Sequence, residues 1–563
     1  MMNRTLMTDF YEFTMAQTYF DRNETDKIGY FDIFFRRNPF DGGYSVSGGL
    51  DEIIDYVNGF SFTGEDIDYL RSRSCFSDAF LEYLRELKFT GDVYAVEDGT
   101  PVFPQEPVVT VRANVIEAQL CETALLAAFN HGTLVTTAAR RICEAAGGAP
   151  VMEFGARRAR GIASAVEASK YSFVGGCGGT SNVLAAKLYD IPAVGTMAHS
   201  LVCDADDEYS AFLSYAKSNP DNCLFLVDTF NVLKSGVPNA IRVARDFLLP
   251  NGYKFKGIRI DSGDLAYLSK QARKMLDEAG FTDTAICLSN GLDEKTILSL
   301  RHQGACFNLL GVGDNIAAAN ERVGGVYKLV AIEENGVTVP KIKVTNDSSK
   351  TVTPGFKQLY RFYDKATGFA LGDVVALDED KIPTDCFTLT SHIEEWKTKT
   401  ITDYNVKNLR VKVFENGSAT TPIHDFVPVY SKADDCHGLL DTKTGDFVCN
   451  CLTSDGARDF TFGVEGIEIV GEPANIGEPT LPYGKIVELE EGTELLIAAE
   501  DVRYNGRGHR LAEIECWTYE NGEWAKQATI SGNSALVTYT GVPTRYVLKW
   551  RVKGLVLIFK GTN

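Results

Sequence analysis

The chain has 563 residues, 44% of them hydrophobic and 23% charged, which is the ordinary composition of a globular protein with room for about two to four domains. A formal net charge of −20 excludes nucleic acid and anionic membrane as general partners, so a phosphate ligand must be held by a local basic pocket. The 13 cysteines are odd in number and sit in apolar contexts such as Ala285-Ile286-Cys287-Leu288; with no apolar leader and no run of roughly 18 uncharged apolar residues, the expected setting is the cytoplasm, without disulfides or a membrane span.

In chain order, helices are predicted over 11–20, 50–58, 78–87 and 117–130, and a strand over 30–35. From Pro150 to Gly313 the texture changes. Seven short apolar runs, Val151–Phe154, Tyr171–Val174, Ile191–Gly195, Cys223–Val227, Gly257–Ile260, Thr284–Leu288 and Phe307–Val312, each end at a polar or glycine-rich cluster, and a helical pattern follows. Runs of about five residues recurring about every 25 are the signature of parallel strands in βα repeats. The clearest helix is Asp264–Ala279, with Leu265, Leu268, Ala272, Met275 and Leu276 on one face, Ser262 or Asp264 as cap and Gly280 as stop. After Gly325 the runs VYKLVAI, PKIKVT, KQLYRFYD and NLRVKVFENG are strand-like; beyond about Pro422 nearly every run is, which predicts an all-β module, read as a sandwich.

The expected fold class is α/β: an irregular (β/α) barrel of about seven strands, a second α/β domain built from the N-terminal and post-barrel segments, and a C-terminal all-β module. The corresponding boundaries are 1–140, 141–325 for the barrel and its site, 326–422 for the return segment, and 423–563 for the β-rich module, whose role the sequence does not tell. The clusters where the runs stop are EFGARRARG, GGCGGTSN, GTMAHS, VDTFN, RIDSGD, LSNG and GVGDN. Residues at the carboxyl ends of barrel strands converge on one mouth. Phe154, Arg157, Ser181, His199, Asp261, Asn290 and Gly313 would therefore share a site, and an aromatic face, guanidiniums, a histidine, an acid and glycines suit an anionic, phosphate-bearing substrate.

The runs LMTDFYEFTMAQTYF, FFRRNPF, EFGARRARG, GGTSNVLAAKL, GTMAHS, RIDSGDLAYLSK, SNGLDEKTI, GVGDN, GGVYKL and KQLYR, in this order and spacing, resemble the nicotinate phosphoribosyltransferases over roughly residues 1–420. The resemblance implies a type II phosphoribosyltransferase, a homodimer with active sites shared between subunits. Such an enzyme joins nicotinate to 5-phosphoribosyl 1-diphosphate, with ATP hydrolysis coupled through a phosphohistidine and Mg2+ accompanying the diphosphate and ATP. By resemblance His199 is the phosphorylated residue, and imidazole is nucleophilic near neutral pH without a strong base. Phe154 stacks on the pyridine, with Tyr11 of the partner subunit opposite it. Arg157 and Arg259 meet its carboxylate or the phosphates, Asp261 holds the ribose hydroxyls, and Asp264 either supports it or charges the helix N-terminus. Ser289, Asn290, Gly311 and Gly313 cradle the 5′-phosphate, and Lys350 reaches the diphosphate. Ser181 stands where the more distant nicotinamide phosphoribosyltransferases carry an acid, which favours the acid substrate; serine capping the following helix is compatible with that role.

Three departures from the family pattern are Asp314 where threonine is usual, Asn231 where an acid is frequent, and the loss of a proline before Lys350. They leave open a catalytically inactive nucleotide-binding relative or scaffold that uses the β module for interaction, or a nicotinamide enzyme. Cys436, His437, Cys449 and Cys451 lie at no common zinc spacing, so the reading is free thiols and no protein-held metal.

Overall fold

The computed structural model describes residues 4–342 and 352–420, apart from 367, 391–395 and 397, and beyond 420 the backbone of strands alone. The chain divides into two compact units, Met1–Leu134 with Glu321–Asn563, and Val135–Asn320.

The unit Val135–Asn320 is organised by a parallel sheet of six strands in the order Gly179–Thr180, Val151–Glu153, Leu309–Val312, Ala285–Ser289, Gly257–Ile260, Leu224–Leu226. Ile258, Ile260, Ile286, Leu288, Leu310 and Val312 are all buried, which is why these runs read as continuously apolar rather than alternating. Helices fill the intervals. Leu265–Glu278 starts where Asp264 Oδ1 accepts from Tyr267 N (3.0 Å), so Asp264 rather than Ser262 is its cap. Its buried positions are Leu265, Ala266, Ser269, Ala272 and Leu276, with Leu268 and Met275 partly buried beside them. Gly280, at φ +90, follows its end.

Two of the seven expected strands are corrected. Tyr171–Val174 is the last turn of the helix Ile162–Val174, whose buried Ala165, Ala168, Ser169, Tyr171 and Ser172 recur at helical spacing. A four-residue apolar window cannot tell a buried helix turn from a buried strand. The strand in that interval is the two-residue Gly179–Thr180, inside what the sequence presented as a terminal cluster. Ile191–Gly195 contributes only a bridge, Thr180 with Ala193; Pro192 has no N–H to donate to a ladder.

In the other unit an antiparallel sheet runs Val337–Pro340, Val326–Glu334, Ile28–Phe34, Val109–Asn114, Asp92–Val96, Arg410–Glu415, Ser418–Ala419, so three N-terminal strands form its centre and strands from the return segment flank them on both sides. Phe31, Ile33, Val93, Val111 and Val413 face a core with Phe13, Ile53, Leu70 and Leu81 from the helices Phe10–Asp21, Leu50–Asn58, Gly64–Ser72 and Asp78–Glu86. The helix expected to stop at Asn130 runs Val115–Ala146. Gly132 does not end it, because a Cβ there would lie 2.5 Å from Gly48 C, and the glycine instead admits the close approach of the Gly48-Gly49 backbone. PKIKVT is extended only to Pro340, and its last residues lie outside the described ones.

The return segment adds Lys357–Asp364 with Ala370–Leu377 and Tyr404–Asn408, and the hairpin Cys386–Thr390 with Thr398–Thr402. Beyond 420 every described element is a strand; the side chains of Cys436, His437, Cys449 and Cys451 lie outside the described residues. Among the described residues no helix is long and apolar enough to cross a membrane.

Candidate active site

Parallel register decides which strand-end residues become neighbours. Leu226 pairs with Arg259, and Arg259 with Cys287. Continuing that register by two residues sets Asp228, Asp261 and Ser289 side by side at the carboxyl edge of three adjacent strands. Ser289 Oγ donates to Asp261 Oδ1 (2.5 Å), and Ser262 Oγ to Asp228 Oδ2 (2.5 Å).

His199 is the first residue of the short helix His199–Asp204. Its Nδ1 lies 3.1 Å from Thr229 Oγ1, and its Nε2 lies 3.8 Å from Asp261 Oδ2 and 4.0 Å from Asp228 Oδ1. The imidazole side chain is 43% exposed, the Asp228 side chain only 1%, and Asp228 Oδ1 is a buried acceptor without a hydrogen-bond donor. The ring thus has one nitrogen tied to a hydroxyl and the other directed at two carboxylates in reach of solvent.

Arg259 is spent within the site. Its Nη2 donates to Asp261 Oδ2 (3.3 Å), its Nε to Ser289 Oγ (3.1 Å) and its Nη1 to Thr196 Oγ1 (3.3 Å), and its guanidinium carbon lies 5.8 Å from the centre of the Phe154 ring. That places it between the carboxylate group and the aromatic face, a geometry available to a planar fork and not to an ammonium.

Phe154 follows the strand Val151–Glu153; its N–H donates to Val312 O (2.7 Å), and its ring packs where Gly311 has no side chain. Ser181 is exposed, with its N–H on Glu153 O (2.9 Å). The cap of the following helix Val183–Tyr189 is Asn182, whose Oδ1 accepts from Leu184 N and Ala185 N, so the Ser181 hydroxyl is not the cap. Arg157 is exposed on the turn Ala156–Arg158. Asn290 (φ +84) and Gly291 (φ +61) turn the chain after Ser289, and Gly313 O accepts from Ile316 N and Ala317 N.

Of the departures from the pattern, Asp314 is exposed, and Asn231 Oδ1 accepts from Lys234 N (2.8 Å) as the cap of a helical turn. His199, Asp261, Arg259, Ser289, Phe154 and Gly311 therefore form one contacting group, while Ser181, Arg157, Asn290 and Gly313 stand at or just beyond strand ends of the same sheet. Tyr11 belongs to the other unit, 48% exposed on Phe10–Asp21. Beside it burial pushes the Glu12 carboxyl up to about 7, against the hydrogen bonds from Tyr11 and Gln119 and helped by Glu122 and Asp9. Lys350 lies outside the described residues.

Asp228 and Thr229 were not singled out from the sequence. The signal was present: Val227-Asp228-Thr229 repeats Ile260-Asp261-Ser262, an apolar residue, an aspartate and a hydroxyl at the end of a strand. The hydroxyl of each copy serves a residue off its own strand, Thr229 meeting His199 at a helix start and Ser262 donating to Asp228 at the neighbouring strand end.

Two family models match the chain, the nicotinate phosphoribosyltransferase N-terminal domain over residues 6–130 and the nicotinate phosphoribosyltransferase family over residues 150–416. Nicotinate phosphoribosyltransferase of Bacillus subtilis (strain 168) is 44% identical over 416 residues, 73% of this chain and 84% of that protein. The Homo sapiens protein of the same name is 31% identical over 439 residues, 68% of this chain and 80% of its own length. The crystal structure of human nicotinic acid phosphoribosyltransferase superposes with a TM-score of 0.65 at 29% identity, covering 74% of this chain and 90% of that one.

Proposed function

The chain belongs to the nicotinate phosphoribosyltransferase family, and from that premise we propose that it joins 5-phosphoribosyl 1-diphosphate to nicotinate in a cleft at the strand ends of Val135–Asn320, with ATP coupled through His199. The observation that carries this reading is the His199 imidazole beside Asp228 and Asp261, with Arg259 bonded to Asp261 and lying against the Phe154 ring. The product is nicotinate mononucleotide, with diphosphate released. The parallel sheet, extended by the bridge from Thr180 to Ala193, supports an irregular α/β barrel as the scaffold.

The transfer needs little acid–base chemistry, because the pyridine nitrogen already carries the lone pair that attacks C1 of the ribosyl group as its bond to diphosphate breaks. The residues orient and neutralise. Phe154 offers one face to the ring, and Tyr11 of a partner subunit offers the other. Ser181 leaves the ring's carboxylate unopposed by an acid, and Arg157 meets that carboxylate or the phosphates. Arg259 holds Asp261 for the ribose diol. Ser289, Asn290 and Gly313 receive the 5′-phosphate and Lys350 the diphosphate, while Gly311, read from the sequence as part of that cradle, makes room for the Phe154 ring.

In the tautomer with the proton on Nδ1, Thr229 Oγ1 accepts from Nδ1–H and the His199 Nε2 lone pair is free. Nε2 takes the γ-phosphoryl group as its bond to ADP breaks, and water later cleaves the phosphorus–nitrogen bond, so each cycle converts ATP and water to ADP and phosphate. Asp228 and Asp261 stabilise the positive ring while it is phosphorylated. The orphaned Asp228 Oδ1 and the Asp261 carboxylate also fit the few-carboxylate mode in which Mg2+ is held with substrate phosphates, where it would supply neutralisation of phosphate charge.

Exposed Ile162, Val183, Leu184 and Leu188 on one unit, and Met7, Phe10 and Tyr11 on the other, support a homodimer that shares its sites. Free cysteines such as Cys203 and Cys287 fit the reducing cytoplasm. The test is His199→Ala, assayed for nicotinate mononucleotide with and without ATP. ATP stimulation should vanish while basal transfer persists; stimulation equal to that of the unmodified chain removes the relay. Nicotinamide and quinolinate, run in parallel, should be poor acceptors.

A further inference from the structure

Behind the aromatic face lies a buried carboxylate with no part in the transfer itself. Glu153 closes the strand Val151–Glu153 and is fully buried. Two donors converge on its carboxylate, the Gly155 N–H on Oε1 and the Thr180 hydroxyl on Oε2 (2.5 Å), and the Ser169 hydroxyl, 3.1 Å from Oε2, divides its one proton between that oxygen and Ala165 O (3.0 Å). They arrive from the turn after Phe154, from the neighbouring strand and from the helix Ile162–Val174. The Glu153 carbonyl accepts the Ser181 N–H, and Thr180 Oγ1 accepts Asn182 N–H (3.0 Å), so the network brackets Ser181 on both sides. There is little slack, because a Cβ on Gly155 would lie 2.5 Å from both Ala317 Cβ and Gly313 O. A carboxyl group is costly to bury, and an apolar side chain would fill this space at no such cost.

We propose that Glu153 is a positioning residue for the acceptor: by tying Gly155 to Thr180 it fixes the spacing between the Phe154 ring and Ser181. That spacing sets the affinity for a pyridine carboxylate and its discrimination from the carboxamide. The proposal rests on the reading of Phe154 and Ser181 as the pyridine pocket.

Glu153→Gln keeps the shape but turns an amide N–H₂ toward either the Gly155 N–H or the hydroxyls. In steady-state kinetics with the full chain, the KM for nicotinate should rise about tenfold, with kcat and the KM for 5-phosphoribosyl 1-diphosphate within about threefold. Thr180→Val should give the same signature and Thr180→Ser the original KM, and the double variant Glu153→Gln/Thr180→Val should be no worse than the poorer single one. Phe154→Ala, run alongside, tests the pocket. If it raises the nicotinate KM and Glu153→Gln and Thr180→Val do not, the positioning role is overturned alone; if Phe154→Ala changes nothing, the pocket reading beneath it fails. Equal losses toward both substrates that follow a lowered Tm would make Glu153 merely structural and also overturn the proposal.

Discussion

Gly311→Ala separates two roles that one glycine could play. A Cβ at this position would lie 2.6 Å from Phe154 Cδ2, nearer still to Cε2, and 3.3 Å from Ser289 Cβ. Carbon contacts settle at about 3.5–4.0 Å, so the ring must retreat by roughly 1 Å. Its backbone cannot follow, because Phe154 N–H is held on Val312 O, and Ser289 is tied to Asp261 and Arg259. The ring therefore tilts into the space where a pyridine would stack. Loss of stacking costs about 0.5–1.5 kcal/mol, which is a rise of about 2- to 13-fold in the KM for nicotinate. Overpacking adds about 1–3 kcal/mol of strain and a Tm lowered by roughly 2–10 °C. Initial-rate measurements varying each substrate in turn, with thermal unfolding of the same preparation, check both numbers. If the KM for 5-phosphoribosyl 1-diphosphate rises and that for nicotinate does not, the glycine serves the phosphate and the packing argument is refuted.

Ser181→Asp sets a carboxylate opposite the nicotinate carboxylate: about 4 kcal/mol at 4 Å and an effective dielectric of 20, reduced because Ser181 is exposed. The KM for nicotinate should rise at least about tenfold and that for nicotinamide much less; equal effects would remove Ser181 from substrate choice. Glu12→Gln tests a buried acid of the other unit. Because burial raises the folded-state carboxyl to about 7, from an ordinary 4.5, the fold favours the proton; the side chain costs nothing below pH 4.5 and its full penalty above pH 7. Urea unfolding should show the variant gaining about 2 kcal/mol on the unmodified chain between pH 5.5 and 8.5, and a pH-independent difference contradicts this. A chain ending at Thr420 keeps the edge strand Ser418–Ala419 and the Thr420 N–H bond to Val413 O (3.0 Å). Its kcat and both KM values should stay within about threefold, and loss of turnover in a folded protein would give the β-rich segment a part in the reaction.

The parts legible in the sequence were those that depend on near neighbours. Asp264 before an amphipathic helix, Gly280 after it, and apolar runs ending at Asp261, Ser289 and Gly313 carry their meaning locally. What was not legible depends on lateral register. Asp228 gains its place only because Leu226 pairs with Arg259, and Glu153 gains Thr180 as a donor from 27 residues away. Tyr171–Val174 misled for the opposite reason: its apolar composition is that of a strand, while the helical period emerges only when Ala165 and Ala168 are counted with it.

Register also explains why so few residues suffice. Asp228, Asp261, Ser289 and Gly311 occupy one lateral row, since Ser289 pairs with Gly311 as well as following Cys287, the partner of Arg259. Along that row the side chains fall from two carboxylates, through a hydroxyl, to none. The charged end meets His199, and the empty end admits the ring of Phe154 from the next strand. Arg259, one side-chain step below the row, reaches Asp261 and Ser289 and faces the ring, so charge and aromatic surface are joined by a single guanidinium. A lysine there would supply the charge without the planar contact or the three-way bonding. Arg259→Lys should therefore weaken nicotinate and 5-phosphoribosyl 1-diphosphate together, whereas Gly311→Ala strikes the ring end alone.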